Sequence, residues 1–326
     1  MRQSIPQQAI EAAAAILRAG GLVAFPTETV YGLGADAANP LAVARIFAVK
    51  GRPQNHPVIV HLPSIAHLER WTREVPDAAL RLAQAFWPGP LTLVLKRASG
   101  VSDTLTGGQD TVGVRVPSHP LALALLAAFA GEDDGRRLIG IAAPSANRFG
   151  RISPTTADHV RAELGGAIDM VLDGGPCEVG IESTIVAFPG PRPIVLRPGR
   201  ITAQDIERVI GALPETVSGG APRAPGTLES HYAPERPLRL VAAEDWEAAL
   251  AAERRLHAVM AFRPQPAADA SVKWVRMASD ADACAHDLYA NLRALDVSGA
   301  EVILAEAPPA GPRWDGVRDR LKRAAG

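Results

Sequence analysis

Over its first 200 residues the chain alternates between apolar repeats of helical period and short, almost wholly apolar runs. This alternation constrains the fold more than any other feature, because a sheet flanked by helices buries both kinds of segment. Ala9, Ala13, Ile16 and Leu17 fall on one face of a helix expected from Gln7 to Ala19, which Gly20 and Gly21 stop. Leu22 to Pro26 then reads as a buried strand. Asn39 is a cap with Pro40 at the first helical position, and the helix it starts is expected to end near Gly51. Val58 to Leu62 is a second strand, followed by two helical segments broken at Pro76. Further strands are expected at Leu91–Lys96, Thr111–Val116, Leu138–Ala142, Ile168–Leu172, Ser183–Phe188 and Pro193–Leu196, with helices at Leu121–Phe129 and Thr155–Leu164. Several of these strands follow one another without a helix, so the expected sheet is mixed.

Between Leu213 and Pro237 the pattern lapses, and Gly219, Gly220, Pro222, Pro225, Gly226, Pro234 and Pro237 cluster as in a linker. His231-Tyr232-Ala233-Pro234 is unlike a spacer, since a tether needs neither an imidazole nor a phenol ring. Strand patterns resume at Leu238–Val241, Ala258–Phe262 and Val302–Ala305, and helical ones at Trp246–Arg255, Ala283–Leu295 and Trp314–Ala324. The 326 residues therefore divide into an α/β domain over 1–212, a linker over 213–236 and a smaller α/β domain over 237–326.

Charge bounds the partners. Lys and Arg total 34 against 35 Asp and Glu, and the balance holds on both sides of the linker: 22 against 22 through Arg236, then 12 against 13. A generic nucleic-acid binder carries a basic excess that is absent here. Cys177 and Cys284 are too few for a disulfide framework or a Cys-rich zinc site, and no CxxC or HExxH occurs, so no protein-held metal is expected. Glu11 and Arg18 bracket the run Ala12 to Leu17 as a helix would, which argues against a secretion signal. The longest uncharged apolar stretch, near Leu121 to Gly131, is too short to cross a bilayer. A cytoplasmic protein without membrane partners is expected.

Standard nucleotide and hydrolase motifs fail. None of the four lysines precedes Ser or Thr, so there is no P-loop, and GxSxG is absent. Gly32 to Ala37 matches GxGxxA, but it does not directly follow the strand, and the next helix begins only at Pro40. What remains is a series of polar segments just after strands, where open α/β sheets bind ligands. Pro26 to Gly34 (PTETVYGLG) holds the hydroxyls of Thr27, Thr29 and Tyr31 and one carboxylate, as a self-bonded turn or a ligand shell. Lys50 and Arg52 sit at a helix end, where they complement its dipole or clamp a phosphate. Ser145 and Asn147 in APSAN cap a helix or bind a ligand. Arg115 and Arg197, each in an apolar strand, need either an internal carboxylate or an anionic ligand. His61, in VIVHL, is a satisfied core histidine or a ligand contact.

The ordered set PTETVYGLG, KGRP, PGPLTLVLK, DTVGVRVP, APSAN, GIESTIV and LRPG resembles the YrdC-domain threonylcarbamoyl-AMP synthases, and the HYAP segment and C-terminal unit resemble their long form. The resemblance implies a YrdC-like twisted mixed sheet with flanking helices and a smaller Rossmann-like α/β C-terminal domain. It implies condensation of L-threonine, bicarbonate and ATP to an adenylate with release of pyrophosphate, for a modified adenosine of tRNA. Mg²⁺ would accompany ATP, and a tRNA threonylcarbamoyl transferase machinery would take the product. Lys50 and Arg52 match phosphate-side, catalytic positions; Thr29, His61, Arg115 and Ser183 match threonine-side positions. His56, Thr111, Ser145, Asn147, Ser153 and Arg197 match nucleotide-side positions, and His231 and Tyr232 match a lid, Tyr232 also facing ATP. Thr227, Leu228 and Glu229 depart from the Met, Lys and Tyr of some relatives. The competing readings are an RNA-binding module of the same fold, with direct tRNA binding left open, and carbamoyl-adenylate chemistry as in hydrogenase maturation factors. The latter carry acyl-phosphatase and zinc-finger regions that have no counterpart here.

Overall fold

A computed structural model describes residues 7–133, 135, 137–190, 192–216, 221–228, 230–266 and 272–326. Ten strands form the first sheet: β1 Val23–Phe25, β2 Gly32–Asp36, β3 Ile59–His61, β4 Leu91–Lys96, β5 Thr111–Arg115, β6 Ile141–Ala142, β7 Met170–Val171, β8 Thr184–Ala187, β9 Ile194–Arg197 and β10 Glu215–Thr216. Their order is β10-β9-β8-β4-β5-β3-β6-β2-β1-β7. Parallel pairs (β3 with β5, β4 with β8) adjoin antiparallel ones (β4 with β5, β8 with β9), so the sheet is mixed as its helix-free connections require. Side chains alternate along each strand, and register decides which residues share a face. His61 pairs with Arg115, Thr92 with Ile185, and Ile185 with Arg197. The polar residues of four apolar strands thereby collect on one face.

Helices Gln7–Arg18 and Pro120–Ala130 pack against each other and against Val23, Phe25 and Ile141. Helix Pro40–Lys50 adds Ile46 and Phe47 to the cluster holding Leu33, Val60, Leu93 and Val114. Asn39 caps it through Leu41 and Ala42, as its position before Pro40 predicts.

Four parallel strands form the second sheet, β11 Leu238–Val241, β12 His257–Ala261, β13 Lys273–Arg276 and β14 Val302–Glu306, in the order β11-β14-β12-β13. Helix Trp246–Ala252 covers the face of Val259, Ala261, Val302 and Leu304. Helices Ala281–Asp296 and Asp315–Ala325 cover the face of Ala258, Met260, Ile303 and Ala305. That cluster continues into Val30, Ile152, Val179 and Ile181 of the first unit. Each such side chain, fully buried, contributes roughly 1.5–3 kcal/mol, so the two units dock through a shared apolar core.

Some elements depart from expectation. Gly32–Asp36 is a strand rather than a loop, paired with β1 and β6. Its glycines disfavour a strand in isolation, but a Cβ at Gly34 would lie 2.8 Å from Phe25, and only glycine permits that approach. Helix Ala203–Ile210 was unforeseen although its capping box, Thr202 with Asp205, is visible in the sequence. The edge strand β13 is short and charged at both ends, and periodicity missed it. In the linker, Glu215–Thr216 extends the first sheet beside β9, while Gly219, Gly220 and Glu229 lie outside the described residues. No helix among the described residues is long and apolar enough to cross a membrane.

Candidate active site

The polar face of the first sheet is covered by 27–32, 143–145 and, from the linker, Pro225, Gly226, His231 and Tyr232, and a cavity lies between. On one side stands Arg115. Its Nη1 donates to Thr29 Oγ1 (2.9 Å), its Nε to Gly89 O (3.2 Å), and its Nη2 lies 2.7 Å from Glu28 Oε1. Arg115 thus has the internal carboxylate that was one of its two readings, and still faces the cavity. Burial alone would raise the Glu28 carboxyl, but Arg115 and the backbone N–H of Ser118 hold it below its ordinary value. Thr27 Oγ1 donates to Val30 O (2.7 Å) and accepts from Thr29 Oγ1 (2.8 Å), so this segment is both a self-bonded turn and a cavity wall. Tyr31 points away, to Gly175 O.

Arg197 is built differently. Its Nε and Nη2 donate to Ser183 O (3.1 and 3.0 Å), Nη2 also to Ser183 Oγ (3.2 Å), and Nη1 to Pro225 O (2.9 Å). Arg52 donates from Nη2 to Pro57 O (2.7 Å), its guanidinium lies 5.7 Å from the Phe149 ring centre, and its Nε has no partner. Neither arginine has a carboxylate within 4.0 Å among the described residues. Burial pulls the Arg52 pKa down to about 10, and it remains charged at neutral pH. His61, buried beside Arg115 with Nδ1 unpartnered, is pulled down to about 3 by burial and is neutral.

Other residues named from the sequence stand behind or beside the wall. Lys50 donates to the carbonyls of Ser145 (2.6 Å) and Asn147, tying the loop that presents Ser145 to the cavity. Asn147 Nδ2 binds Arg148 O and Arg151 O, holding the next turn. Ser153 donates to Glu182 (2.5 Å). His56 packs edge-on against Phe149. Thr111 lies in a neighbouring hollow with Gln109, Arg223 and Pro225.

The linker closes the remaining side with Pro225, Gly226, His231 and Tyr232. Gly226 has φ +73°, and a Cβ there would meet Tyr232 Oη at 1.9 Å. Tyr232 itself has φ +63°, a left-handed conformation costing a non-glycine residue roughly 1–2 kcal/mol. Its N–H donates to His231 Nδ1 (2.9 Å) and its ring stacks on the imidazole at 4.3 Å. Because Nδ1 accepts that bond, His231 is neutral with its proton on Nε2, in agreement with burial pulling its pKa to about 3. Farther up the linker, Gln109 brackets Arg223, accepting from its N–H (2.7 Å) and donating to its carbonyl (3.1 Å).

A family model described as Telomere recombination matches residues 15–199, and one described as Threonylcarbamoyl-AMP synthase, C-terminal domain, matches residues 201–326. A threonylcarbamoyl-AMP synthase of Pyrococcus abyssi is 39% identical, over 100% of this chain and 96% of that protein. The chain belongs to the YrdC-domain threonylcarbamoyl-AMP synthases, in their long form. The Bacillus subtilis threonylcarbamoyl-AMP synthase is likewise 39% identical over 97% of this chain and 93% of its own. The crystal structure of P. abyssi Sua5 complexed with L-threonine superposes with a TM-score of 0.89 at 37% identity, covering 100% of this chain and 96% of that one.

In this long-form synthase Glu28, noted from the sequence only as the carboxylate of its motif, and Glu182, Phe149, Tyr289 and Arg320, which the sequence reading does not name, hold the named residues in place. Glu28 and Glu182 lie inside motifs already singled out, beside Thr29 and Ser183. A lone acid in an otherwise uncharged, ligand-bearing motif was the available signal. Phe149, Tyr289 and Arg320 gave none, since their roles depend on long-range packing.

The two neutral histidines make the synthase acid-sensitive. In the unfolded chain His61 and His231 take up a proton near pH 6.5, whereas in the folded chain each waits until about 3. The unfolded state therefore binds more protons between these values, and stability falls as pH drops below 6.5, by roughly 1.4 kcal/mol per unit for each histidine. Urea unfolding at pH 7 and pH 5 should show this loss, and His61→Asn should reduce it. Equal stability at both pH values would contradict neutral burial.

Proposed function

We propose that the cavity joins N-carboxylated L-threonine to the adenylyl group of ATP, a nucleotidyl transfer yielding L-threonylcarbamoyladenylate and pyrophosphate. The observation that carries this reading is the convergence of three buried arginines, Arg52, Arg115 and Arg197, two of them without a carboxylate partner among the described residues. Buried charge of this kind is costly unless an anion meets it. The threonine amine and bicarbonate give a carbamate and water. A carbamate oxygen then attacks the α-phosphorus, forming a C–O–P bond as the bond to the β-phosphate oxygen breaks. Both reactants are anions, so cation placement and alignment supply most of what the protein contributes.

In this reading Arg115 takes the threonine carboxylate, with Thr29, Ser183 and neutral His61 around the rest of the amino acid. Arg52, Arg197 and Ser145 face the phosphates. Lys50, Asn147 and Ser153 position that wall; His56, Thr111 and Tyr232 flank the nucleotide. Glu28 and Glu182 are already engaged by arginines, and no three His, Cys, Asp or Glu side chains group as a metal site among the described residues. Mg²⁺ accordingly enters as part of the substrate, on phosphate oxygens and water.

The open space is about 50 Å³, whereas small-molecule sites enclose roughly 300–1,000 Å³. The segment carrying His231 and Tyr232 must therefore lift to admit ATP, and it acts as a lid. The product is a reactive mixed anhydride, which a tRNA threonylcarbamoyl transferase would consume in the cytoplasm. Pyrophosphate release by the purified chain should require L-threonine and bicarbonate together. Release at the same rate without bicarbonate, or with serine in place of threonine, would overturn the reading.

A further inference from the structure

The lid and one wall of the cavity are held by the C-terminal unit. Glu182 accepts from Ser153 on one carboxylate oxygen, and on the other from Tyr289 Oη (2.9 Å) and Arg320 Nε (2.7 Å). Arg320 has no exposed surface and reaches back to Pro198 O (2.9 Å). Its guanidinium lies 5.3 Å from the Tyr232 ring centre, and the Tyr289 ring lies 5.7 Å from the same ring. Two side chains of one unit thus grip both a wall carboxylate and the lid tyrosine of the other, without themselves lining the cavity.

The grip is extended along both helices. On Ala281–Asp296, one and two turns beyond Tyr289, Arg293 pairs with Glu163 (2.6 Å) and Asp296 accepts the backbone N–H groups of Glu235 and Arg236 (2.9 Å each). On Asp315–Ala325, Arg323 donates to Leu228 O, and its carbonyl accepts the N–H of His231 (3.1 Å). By contrast, at the carboxyl ends of the parallel strands, where open sheets hold ligands, Arg263 already lies on Glu306 (3.1 Å). Arg320, Tyr289, Arg323 and Asp296 instead reach out of this unit, to the wall carboxylate, the lid and the linker.

We propose that Arg320 and Tyr289 are positioning residues for the adenylate-forming reaction, through which the C-terminal unit sets Glu182 and holds the Tyr232 lid in its closed, left-handed conformation. The proposal rests on the reading of His231 and Tyr232 as a lid over ATP. A buried ion pair adds little stability over an apolar replacement, so its value here is geometric.

The test uses the full chain with Arg320→Lys, which keeps a charge near Glu182 but loses the planar fork beneath Tyr232, and with Tyr289→Phe, which removes one hydroxyl. Arg320→Lys is expected to lower kcat about tenfold and Tyr289→Phe about threefold, with KM for threonine within about twofold. Hydrogen exchange at the amides of His231, Tyr232 and Ala233 should accelerate in both, while helix Pro120–Ala130 exchanges as in the wild type. Unchanged kcat and lid exchange, or acceleration spread equally over both units, would overturn the proposal. If Arg320→Lys does not fold, Tyr289→Phe alone decides it. A wild-type chain that makes no adenylate would overturn the functional reading instead, and lid exchange would still report on the coupling.

Discussion

Arg52→Ala should lower kcat/KM for ATP by about 100-fold while the chain still folds, because a charge-assisted hydrogen bond to phosphate is worth about 1.5–3 kcal/mol and each 1.36 kcal/mol is tenfold in rate. The folded protein asks little of this side chain. Arg52 gives one hydrogen bond, to Pro57 O, and rests against Phe149. Burial disfavours its charge and nearby Arg197 repels it, so its removal relieves as well as costs. Lys50→Ala should differ, since Lys50 binds two carbonyls of the 145–147 loop. It should lose activity and stability together. Steady-state kinetics beside urea unfolding separates the two. Near-normal turnover of Arg52→Ala would return this residue to the helix-dipole reading.

Arg115→Met has the larger expected effect on stability. It leaves the buried Glu28 carboxyl without its cation, and breaking a buried pair from one side costs about 3–5 kcal/mol. Glu28 is 3% exposed, so water cannot replace the guanidinium. Glu28→Gln/Arg115→Met should recover most of that loss, yet remain unable to bind threonine, because the cation facing the cavity is gone. Calorimetric titration with threonine and urea unfolding would show the separation. A loss below about 1 kcal/mol in the single variant would mean the pair is not the buried contact described above.

Arg115 and Arg197 show where sequence reading stops. Residue periodicity is local, and it located nearly every helix and strand that is apolar on one face. It could state that Arg115 and Arg197 each need a partner, but not which kind. The answer lay in chain crossings: Glu28 reaches Arg115 from the turn after β1, whereas Arg197 meets the carbonyls of Ser183 and Pro225. Register, too, is a property of paired strands, and it alone sets His61 beside Arg115. β2 escaped notice because its glycines serve close packing, which propensity does not record. The motif set identified the family, and family resemblance carried the residue roles. It said nothing of Tyr289 and Arg320, whose place depends on how the C-terminal unit docks.

The most direct test of adenylate formation is mass spectrometry of the product made from ¹³C-bicarbonate, ¹⁵N-threonine and ATP. One compound carrying both labels together with AMP is expected, appearing with stoichiometric pyrophosphate. AMP joined to threonine without the carbon label, or pyrophosphate release with no labelled adenylate, would contradict it.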